Sequence, residues 1–304
     1  MAEADKIGVV TVSYNSADVL PGFLDSMMKQ AHSEFLLFAV DNSSSDSTLT
    51  ILRQCSDPRL RVIANLENRG VAAGNNQGIR AALEAGCNSV MLLNNDTEFD
   101  CDFLSLLGGG LERNDVDMVC PKIMYFDQPD RIWAAGGAFR PWLAYGIKHL
   151  GEGEIDRGQF NQAKLVTCVP TCCVLIRKEV FEKVGLMDER YFVYVDDVDF
   201  MYRALNLGIR LMYIPEAKLL HKVGSLTGGV ESPFAARFCT RNRVYFLLRH
   251  FGILRALPIL VLYQAHFIAG LLYGRFNLSS LAIKEKATWE GFTMWKNSHP
   301  HAMG

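Results

Sequence analysis

Two amides and a carboxylate end an apolar run in the first third of the chain. Val90 to Leu93 are typical of a buried strand, and Asn94, Asn95 and Asp96 follow directly. In open α/β sheets, ligands bind at the carboxyl ends of strands. A divalent cation that carries a diphosphate needs one or two carboxylates and few other protein groups. An Asx-rich turn also fits these residues, so the motif alone leaves a ligand site and a simple turn both open.

Similar polar clusters follow two earlier apolar runs. Tyr14 and Asn15 follow the first run, and Asp41 and Asn42 follow the second. If all three runs are strands of one parallel sheet, their polar clusters lie at the same edge of that sheet. A shared nucleotide site explains this coincidence better than three unrelated turns.

The elements that must position these clusters alternate between strands and helices. We expect strands at 6–13, 35–40, 60–64, 90–93 and 210–214, and helices at about 19–30, 47–53, 71–85, 178–184 and 197–207. This order predicts an α/β fold with a Rossmann-like, mostly parallel central sheet flanked by helices. The segment 121–162, rich in glycine and aromatic residues, is expected to be irregular, and 166–176 to form one strand-like run.

The bulk composition is that of a globular protein. The chain has 304 residues, of which 49% are hydrophobic and 21% charged, enough for one large domain or two modest ones. Its net charge of −2 gives no reason to expect nucleic acid as a partner. The eight cysteines include no Cys-x-x-Cys pair, so zinc spacing is absent.

Three of these cysteines, Cys168, Cys172 and Cys173, lie in an apolar run and are expected to be buried free thiols. No signal peptide is evident. A reducing cytoplasm is therefore the expected location.

The C-terminal region, 233–304, mixes basic and apolar residues. The stretch 256–274 contains no acidic or basic residue and just reaches transmembrane length. Pro258, Gln264 and His266 interrupt it, which favours a buried or interfacial helix over a membrane span. We therefore expect a helical extension that contacts the membrane surface peripherally or forms a homodimer.

Seven short motifs, each weak alone, lie in order between Lys6 and Arg249. They are Val12-Ser13-Tyr14-Asn15, Val40-Asp41-Asn42-Ser43-Ser44, Asn68-Arg69-Gly70, Ala73-Gly74-Asn75-Asn76, Leu93-Asn94-Asn95-Asp96, Asp196-Asp197-Val198-Asp199 and His221. Their order and spacing resemble family 2 glycosyltransferases of the GT-A fold, and most of all the bacterial rhamnosyltransferase-like branch. The resemblance implies a catalytic domain at 1–232, with a nucleotide-binding half at about 1–97 and an acceptor half at about 98–232, before the extension 233–304.

The resemblance also implies an activity. Members of this branch transfer a sugar, with inversion, from a nucleotide-diphosphate sugar to a glycan or polyprenyl-linked acceptor in bacterial surface polysaccharide synthesis. The expected donor is dTDP-rhamnose, with UDP- and GDP-sugars as alternatives, and the expected cofactor is Mg²⁺ or Mn²⁺. The expected location is the inner face of the cell membrane.

Several donor-site roles carry over to this sequence. Asp41 would accept a hydrogen bond from the nucleobase, such as the N3–H of uracil or thymine, unless it serves as a helix-capping turn. Asn68, Arg69, Gly70 and Asn75 would lie beneath the nucleotide, where a helix N-terminus and an arginine favour a diphosphate. A close helix–sheet contact explains the glycine spacing of this segment about as well.

The metal-binding role falls to Asp96 and His221. The family's Asp-x-Asp motif begins with an acid, whereas this chain has Asn94 there, so Asp96 is the expected metal ligand and Asn94 a sugar or ribose contact. His221 is expected on a loop, where it would approach the metal or diphosphate unless it is simply exposed to solvent. Ser225 and Thr227 could also meet phosphate oxygens.

Asp197 is the expected catalytic base, with Asp196 as the alternative. Inverting transfer needs a carboxylate that takes the proton of the acceptor hydroxyl as its oxygen attacks the anomeric carbon. Acidic residues also favour helix N-termini for purely structural reasons. Trp133 and Trp142 are candidates for an acceptor pocket or for the core.

A further motif of the branch is Arg241-Asn242-Arg243, near the start of the C-terminal helices. It would contact an anionic acceptor or membrane, or form an ordinary basic helix face.

Two other functions fit parts of the sequence. A sugar nucleotidyltransferase has a related sheet but needs a glycine-rich, basic loop after its first strand, which residues 13–17 do not offer. A non-catalytic sugar-binding or scaffold subunit of a glycan assembly complex would explain the amide at Asn94. Asp96, Asp197 and His221 together argue against that second function.

Overall fold

The computed structural model describes residues 6–141, 144–224, 232–274 and 278–298. Within these ranges the chain forms an α/β fold with a ten-stranded sheet and a separate two-stranded sheet. The strands are β1 (Ile7–Ser13), β2 (Phe35–Asp41), β3 (Leu60–Ala64), β4 (Ser89–Leu93), β5 (Thr97–Phe99), β6 (Met118–Tyr125), β7 (Ile132–Ala134), β8 (Gly137–Arg140), β9 (Gly146–His149), β10 (Lys164–Val166), β11 (Cys173–Arg177) and β12 (Leu211–His221). The helices are α1 (Leu20–Met28), α2 (Thr48–Gln54), α3 (Gly70–Glu84), α4 (Phe103–Arg113), α5 (Lys178–Val184), α6 (Asp196–Asn206), α7 (Pro233–Leu272) and α8 (Leu278–Ser298).

Parallel strands form the half of the sheet that carries the first three polar clusters. The main strand order is β10-β12-β6-β11-β4-β1-β2-β3, with β5 added to β12 and β7 to β6. Neighbours among β4, β1, β2 and β3 are all parallel, and Ser13 lies opposite Asp41. The three clusters therefore share one edge, as the sequence predicts. In the other half, β11 runs antiparallel to both β4 and β6, so that half is mixed.

Both faces of the sheet are covered by helices, which explains why the strands are apolar along their whole length. Val10 and Leu92 belong to the core that includes Ile79 of α3. Their neighbours Val9 and Met91 belong to the core on the opposite face. Successive side chains of a strand alternate between faces, so each buried strand contributes side chains to both cores.

Glycines allow α3 to lie close against β1. A Cβ at Gly78 would collide with Val10, and one at Gly74 would lie 2.8 Å from Cγ1 of Val12. The glycine spacing in this segment therefore reflects a close helix–sheet contact, the alternative that sequence reasoning left open.

The acceptor half contains more regular structure than its sequence indicates. The segment 121–162, expected to be irregular, holds the end of β6 and all of β7, β8 and β9. Lys122, which is completely buried, anchors a loop in this region because its Nζ bonds Asp156 (2.8 Å) and Asn161 (2.7 Å). Conversely, 166–176 is not one strand, since β10 ends at Val166 and β11 begins at Cys173. Pro170 lies between them and has no N–H to donate to a ladder.

The expected loop at His221 is also wrong, because this residue ends β12. A register shift between Ile214 and Lys218 lets the strand continue past Pro215, and pairing with β6 resumes beyond it. Such a bulge accommodates proline within a strand.

The C-terminal extension is helical, as expected. Gly252 has φ 67° and divides α7 into two segments, of which the first, 233–251, contributes Tyr245 and Phe246 to a core shared with Tyr191 and Val198. Among the described residues, α7 is the one helix long and apolar enough to cross a membrane, by length and composition alone, and 33% of its most apolar window is buried. Trp142, Ser225 and Thr227 lie outside the described residues.

The contact between α3 and β1 yields a stability prediction. Gly78→Ala should lower the free energy of unfolding by about 1–3 kcal/mol, because the added methyl group overpacks against Val10. Gly108→Ala is the matched control in α4, where a Cβ would lie 3.7 Å from Ile7; it should be neutral or stabilise by up to about 1 kcal/mol. Urea unfolding of both variants measures the difference, and equal effects would contradict the predicted contact.

Candidate functional site

The carboxylate of Asp41 is buried at the end of β2 and only partly satisfied. Its Oδ2 accepts from the backbone N–H of Ser44 at 3.2 Å, while its buried Oδ1 has no hydrogen-bond partner in the part of the chain that the structure describes. Buried polar atoms are nearly always paired. The α2 helix does not use this carboxylate as a cap, because Asp46 accepts from the N–H of Thr48 at 3.0 Å. Oδ1 of Asp41 is therefore available to a ligand N–H.

Two asparagines connect the loops around Asp41 through hydrogen bonds. Asn15 accepts from the N–H of Ser45 (2.8 Å), which ties the end of β1 to the end of β2. Asn42 is buried and donates to the carbonyl of Gly70 (2.9 Å). Tyr14 is about half exposed, at 48%. Of the predicted donor contacts on these two loops, Tyr14 and Asn15 are thus exposed to solvent, whereas Asn42 is buried beneath them.

The start of α3 lies beside these loops. Asn68 accepts from the N–H of Gly70 at 2.9 Å, and Arg69 is exposed just before the helix. Gly70 has φ +82°, and a side chain there would collide with Phe192. Asn75 departs from its predicted role, because it is buried and its amide lies 3.7 Å from the sulfur of Met187. The helix N-terminus and Arg69 remain the groups here that suit a diphosphate.

Asp96 and His221 form a buried pair where the end of β12 meets the start of β5. His221 Nε2 lies 3.3 Å from Asp96 Oδ1. Burial lowers the pKa of His221, but Cys172 and Asp96 beside it outweigh that effect and raise it above the ordinary value. Since burial also raises the pKa of the Cys172 thiol, that thiol is neutral near pH 7, and Asp96 is the charge that favours protonated imidazole.

The two amides before Asp96 have different environments. Asn94 is exposed at the sheet edge. Asn95 is buried, and its amide donates to the hydroxyl of Ser13 at 2.7 Å. Asn95 therefore ties β4 to β1, a role that differs from the predicted ligand contact, while Asn94 is free to meet a sugar or ribose.

A divalent ion fits this corner only if a ligand supplies most of its coordination. Within the described ranges no group of three or more His, Cys, Asp or Glu side chains could hold a metal. Asp96 offers one carboxylate, and His221 offers one imidazole after loss of its proton. Mg²⁺ and Mn²⁺ are commonly held by one or two carboxylates together with phosphate oxygens and water, so the residues present fit such an ion when a diphosphate is bound.

Trp133 connects the metal corner to the acceptor half. Its ring lies 4.7 Å from the ring of His221 and 4.5 Å from that of His149, edge to face in both cases. Burial lowers the pKa of His149, and the nearby Asp197 partly opposes this effect. Sequence reasoning missed His149, since it ends β9 within the segment expected to be irregular. Its buried Nδ1 has no partner among the residues the structure describes.

Asp196 and Asp197 begin α6. Asp196 is buried, and its Oδ2 has no hydrogen-bond partner among described residues, whereas Asp197 is partly exposed. Burial raises the pKa of both carboxyl groups, and Asp197 raises that of Asp196 further. The N–H of Val198 and the charge of Arg243 oppose the rise at Asp197. Helix capping alone does not explain why the Asp196 carboxyl group is buried.

The third acid of that motif has a different role. Asp199 is completely buried and bonds Arg203 (2.8 Å) and His250 (2.7 Å), which hold its pKa below the ordinary range despite its burial. It faces away from Asp197, towards α7.

The Arg241-Asn242-Arg243 motif differs from both expectations. Arg241 donates to the carbonyl of Tyr191 (2.7 Å), and Arg243 donates to the carbonyls of Ala144 (3.1 Å) and Tyr145 (3.0 Å). Asn242 is completely buried and also donates to backbone carbonyls. The motif thus holds loops of the catalytic domain.

Comparisons with known proteins agree with this geometry. The family model described as glycosyl transferase family 2 matches residues 8–185. The low-salt glycan biosynthesis hexosyltransferase Agl10 of Haloferax volcanii is 26% identical over 250 residues, covering 79% of this chain and 74% of that protein. The N-acetylglucosaminyl-diphospho-decaprenol L-rhamnosyltransferase of Mycobacterium tuberculosis is 26% identical over 278 residues, covering 83% and 87%.

A solved structure extends the likeness to the fold. GalNAc-T7, determined with UDP, GalNAc and Mn²⁺, superposes with a TM-score of 0.62 over 100% of this chain and 59% of that longer chain, at 15% identity. At this identity the likeness shows the GT-A fold alone. Because the family model covers more than half of the chain, the chain belongs to glycosyl transferase family 2.

Proposed function

We propose that this glycosyltransferase is an inverting enzyme that moves rhamnose from dTDP-rhamnose to a glycan or polyprenyl-linked acceptor in bacterial surface polysaccharide synthesis. UDP- and GDP-sugars are the alternative donors. The observation that carries the proposal is a set of side chains in which His221 pairs with Asp96, Trp133 packs between His221 and His149, and the charge of Asp197 acts on His149. This set links a donor-diphosphate corner to a carboxyl group that can act as a base.

The donor binds along the carboxyl edge of the parallel strands. Oδ1 of Asp41, which lacks a partner among described residues, accepts from the base N–H. The start of α3 and Arg69 face the diphosphate. Asp96 and His221 would hold Mg²⁺ or Mn²⁺ together with the diphosphate oxygens. A divalent ion in that position neutralises the charge that develops on the leaving group.

Asp197 takes the proton of the acceptor hydroxyl. As that proton leaves, the hydroxyl oxygen bonds to the anomeric carbon, and the bond from that carbon to the diphosphate oxygen breaks with its electron pair. The configuration at the anomeric carbon is thereby inverted. Asp197 suits this role better than Asp196, because Asp197 is partly exposed and Asp196 is buried. Holding both substrates in line supplies much of the acceleration.

The second segment of α7 suits a membrane surface. Exposed apolar side chains recur at helical spacing along one side of it: Leu254, Leu257, Val261, Ile268 and Leu272. Arg255 lies at the start of this face and would meet anionic headgroups. Peripheral attachment to the inner face of the cell membrane would bring the site to a lipid-linked acceptor.

The nucleobase contact can be tested by calorimetry with dTDP. Asp41→Asn should raise the Kd for dTDP by about 5- to 10-fold, because it replaces a charged acceptor, whose hydrogen bond contributes about 1.5–3 kcal/mol, with a neutral one that contributes about 0.5–1.5 kcal/mol. Asp57→Asn is the control, since Asp57 pairs with Arg59 at the opposite edge of the sheet. Equal affinities of the two variants would contradict the assignment.

The base can be tested by nucleotide release from dTDP-rhamnose, with Mn²⁺ and a decaprenyl-diphosphate-linked N-acetylglucosamine as acceptor. Asp197→Asn should lower kcat by about 10²- to 10⁴-fold without changing the affinity for dTDP. The exposed Asp25→Asn variant should behave like the parent protein. Normal turnover in Asp197→Asn would overturn the assignment.

Normal dTDP binding with no turnover in the parent protein across dTDP-, UDP- and GDP-sugars would instead indicate a scaffold subunit.

The pH dependence of the same reaction adds a second readout. The base must be ionised, and burial raises its pKa. Activity should therefore fall as the pH is lowered through a value above the ordinary carboxyl range of about 4. An acid limb at or below about 4 would contradict the raised pKa.

Membrane attachment can be tested by co-sedimentation with liposomes that contain anionic lipid at low salt. The parent protein should bind, and the double variant Leu254→Glu, Val261→Glu should not, because both side chains are exposed on this face of α7 (89% and 58%). Leu207→Glu, exposed on another element (57%), is the control. A protein that forms dimers and ignores liposomes would show that this face mediates self-association.

A further inference from the structure

Four consecutive backbone carbonyls before the candidate base are held by donors from two separate helices. The amide nitrogen of Asn242 on α7 lies within hydrogen-bond distance of the carbonyls of Tyr191 (2.9 Å), Val193 (2.7 Å) and Tyr194 (2.8 Å), and its two N–H groups are shared among these three acceptors. The carbonyl between them, of Phe192, accepts from the N–H of Val71 in α3 at 2.6 Å. The segment 191–195, termed the base loop, therefore lies between the donor-side helix and the C-terminal extension.

The base loop is held in an unfavourable backbone conformation. Phe192, Tyr194 and Val195 have φ of 65°, 62° and 66°. Side chains other than glycine seldom adopt positive φ, and a β-branched valine does so least readily. Such residues persist only where surrounding contacts over-determine the conformation. The donors from Asn242 and Val71 are contacts of that kind.

The conformation of the base loop determines where the carboxyl groups of Asp196 and Asp197 lie. Val195 directly precedes α6, and its carbonyl accepts from the N–H of Asp199 at 2.9 Å. Asp196 and Asp197 come directly after it. A relaxed base loop would change the direction from which the helix starts, and both carboxyl groups would move with it.

Burial and neighbouring contacts hold the Asn242 side chain in one position. Its side chain is completely buried, and its oxygen accepts from Nε of Arg241 at 2.7 Å. Gly291 of α8 lies against this part of α7, where a Cβ would collide with the carbonyl oxygen of Arg241. The packing of α8 against α7 thus fixes the position of Asn242 relative to the base loop.

We propose that Asn242 is a positioning residue for the transfer reaction: its amide holds the base loop in the strained form that presents Asp197 to the acceptor hydroxyl. The C-terminal extension consequently completes the active site, besides any membrane contact that it makes. This inference rests on the proposed function for its catalytic consequence. Its structural consequence, the strained base loop, can be measured without turnover.

The test compares three single variants of the full chain. Asn242→Leu keeps the approximate shape but removes the donors, and Asn242→Ser keeps one donor in a smaller side chain that cannot overpack. Thr288→Ala is the matched control, because it removes the hydrogen bond from Gln264 (2.7 Å) within the same helix pair and leaves the base loop untouched. Each variant is assayed well below its own melting temperature.

Three readouts separate positioning from general stability. In Asn242→Leu, kcat should fall by about 10²-fold, the cost of a misplacement of roughly 1 Å, while the Kd for dTDP stays unchanged. Hydrogen exchange at the amides of Val71 and Asp199 should accelerate, since both donate to base-loop carbonyls. Asn242→Ser should give intermediate values, and Thr288→Ala parental ones.

Parental kcat or parental amide exchange in both Asn242 variants would overturn the proposal. So would an equal loss of kcat in Thr288→Ala, because that result would indicate a general stability effect. If the parent protein binds dTDP but shows no turnover, the proposed function fails, and unchanged exchange at Val71 and Asp199 would then still refute the structural part on its own.

Discussion

Two adjacent carboxyl groups begin α6, Asp196 buried and Asp197 partly exposed, and the groups around Asp197 offset part of the cost of its burial. Burial raises the pKa of both groups, while Arg243 and the N–H of Val198 stabilise the ionised form of Asp197. Because its pKa is raised, Asp197 is a stronger base than an ordinary aspartate, and these two contacts limit the rise. General-base chemistry at an acceptor hydroxyl requires this combination.

The two halves of the sheet supply different parts of the candidate site. The parallel half supplies a nucleotide edge, where Asp41 ends β2, and the mixed half supplies β12, which continues past a bulge to place His221 beside Asp96. Trp133 packs between His221 and His149. From α7, Asn242 holds the loop that precedes Asp196 and Asp197.

Sequence patterns reveal the parts of this site that depend on local order. Strand 60–64 is found as predicted, and Asp41, Asp96 and Asp197 stand out because polar residues directly follow apolar runs. His221 was misplaced because Pro215 resembles a strand end, whereas pairing with β6 carries the strand through a bulge. The partners of Asn242 lie 48 to 51 residues away, and hydrogen bonds to backbone carbonyls leave no trace in the identity of those residues. No local pattern encodes such a contact.

The anomeric configuration of the product tests the central claim most directly, because a single displacement assisted by Asp197 has only one stereochemical outcome. NMR of the product formed from dTDP-rhamnose should show a glycosidic linkage opposite in configuration to the sugar–diphosphate bond of the donor. Retention of the donor's configuration would contradict the account, since it would require an intermediate for which Asp197 has no role as a base.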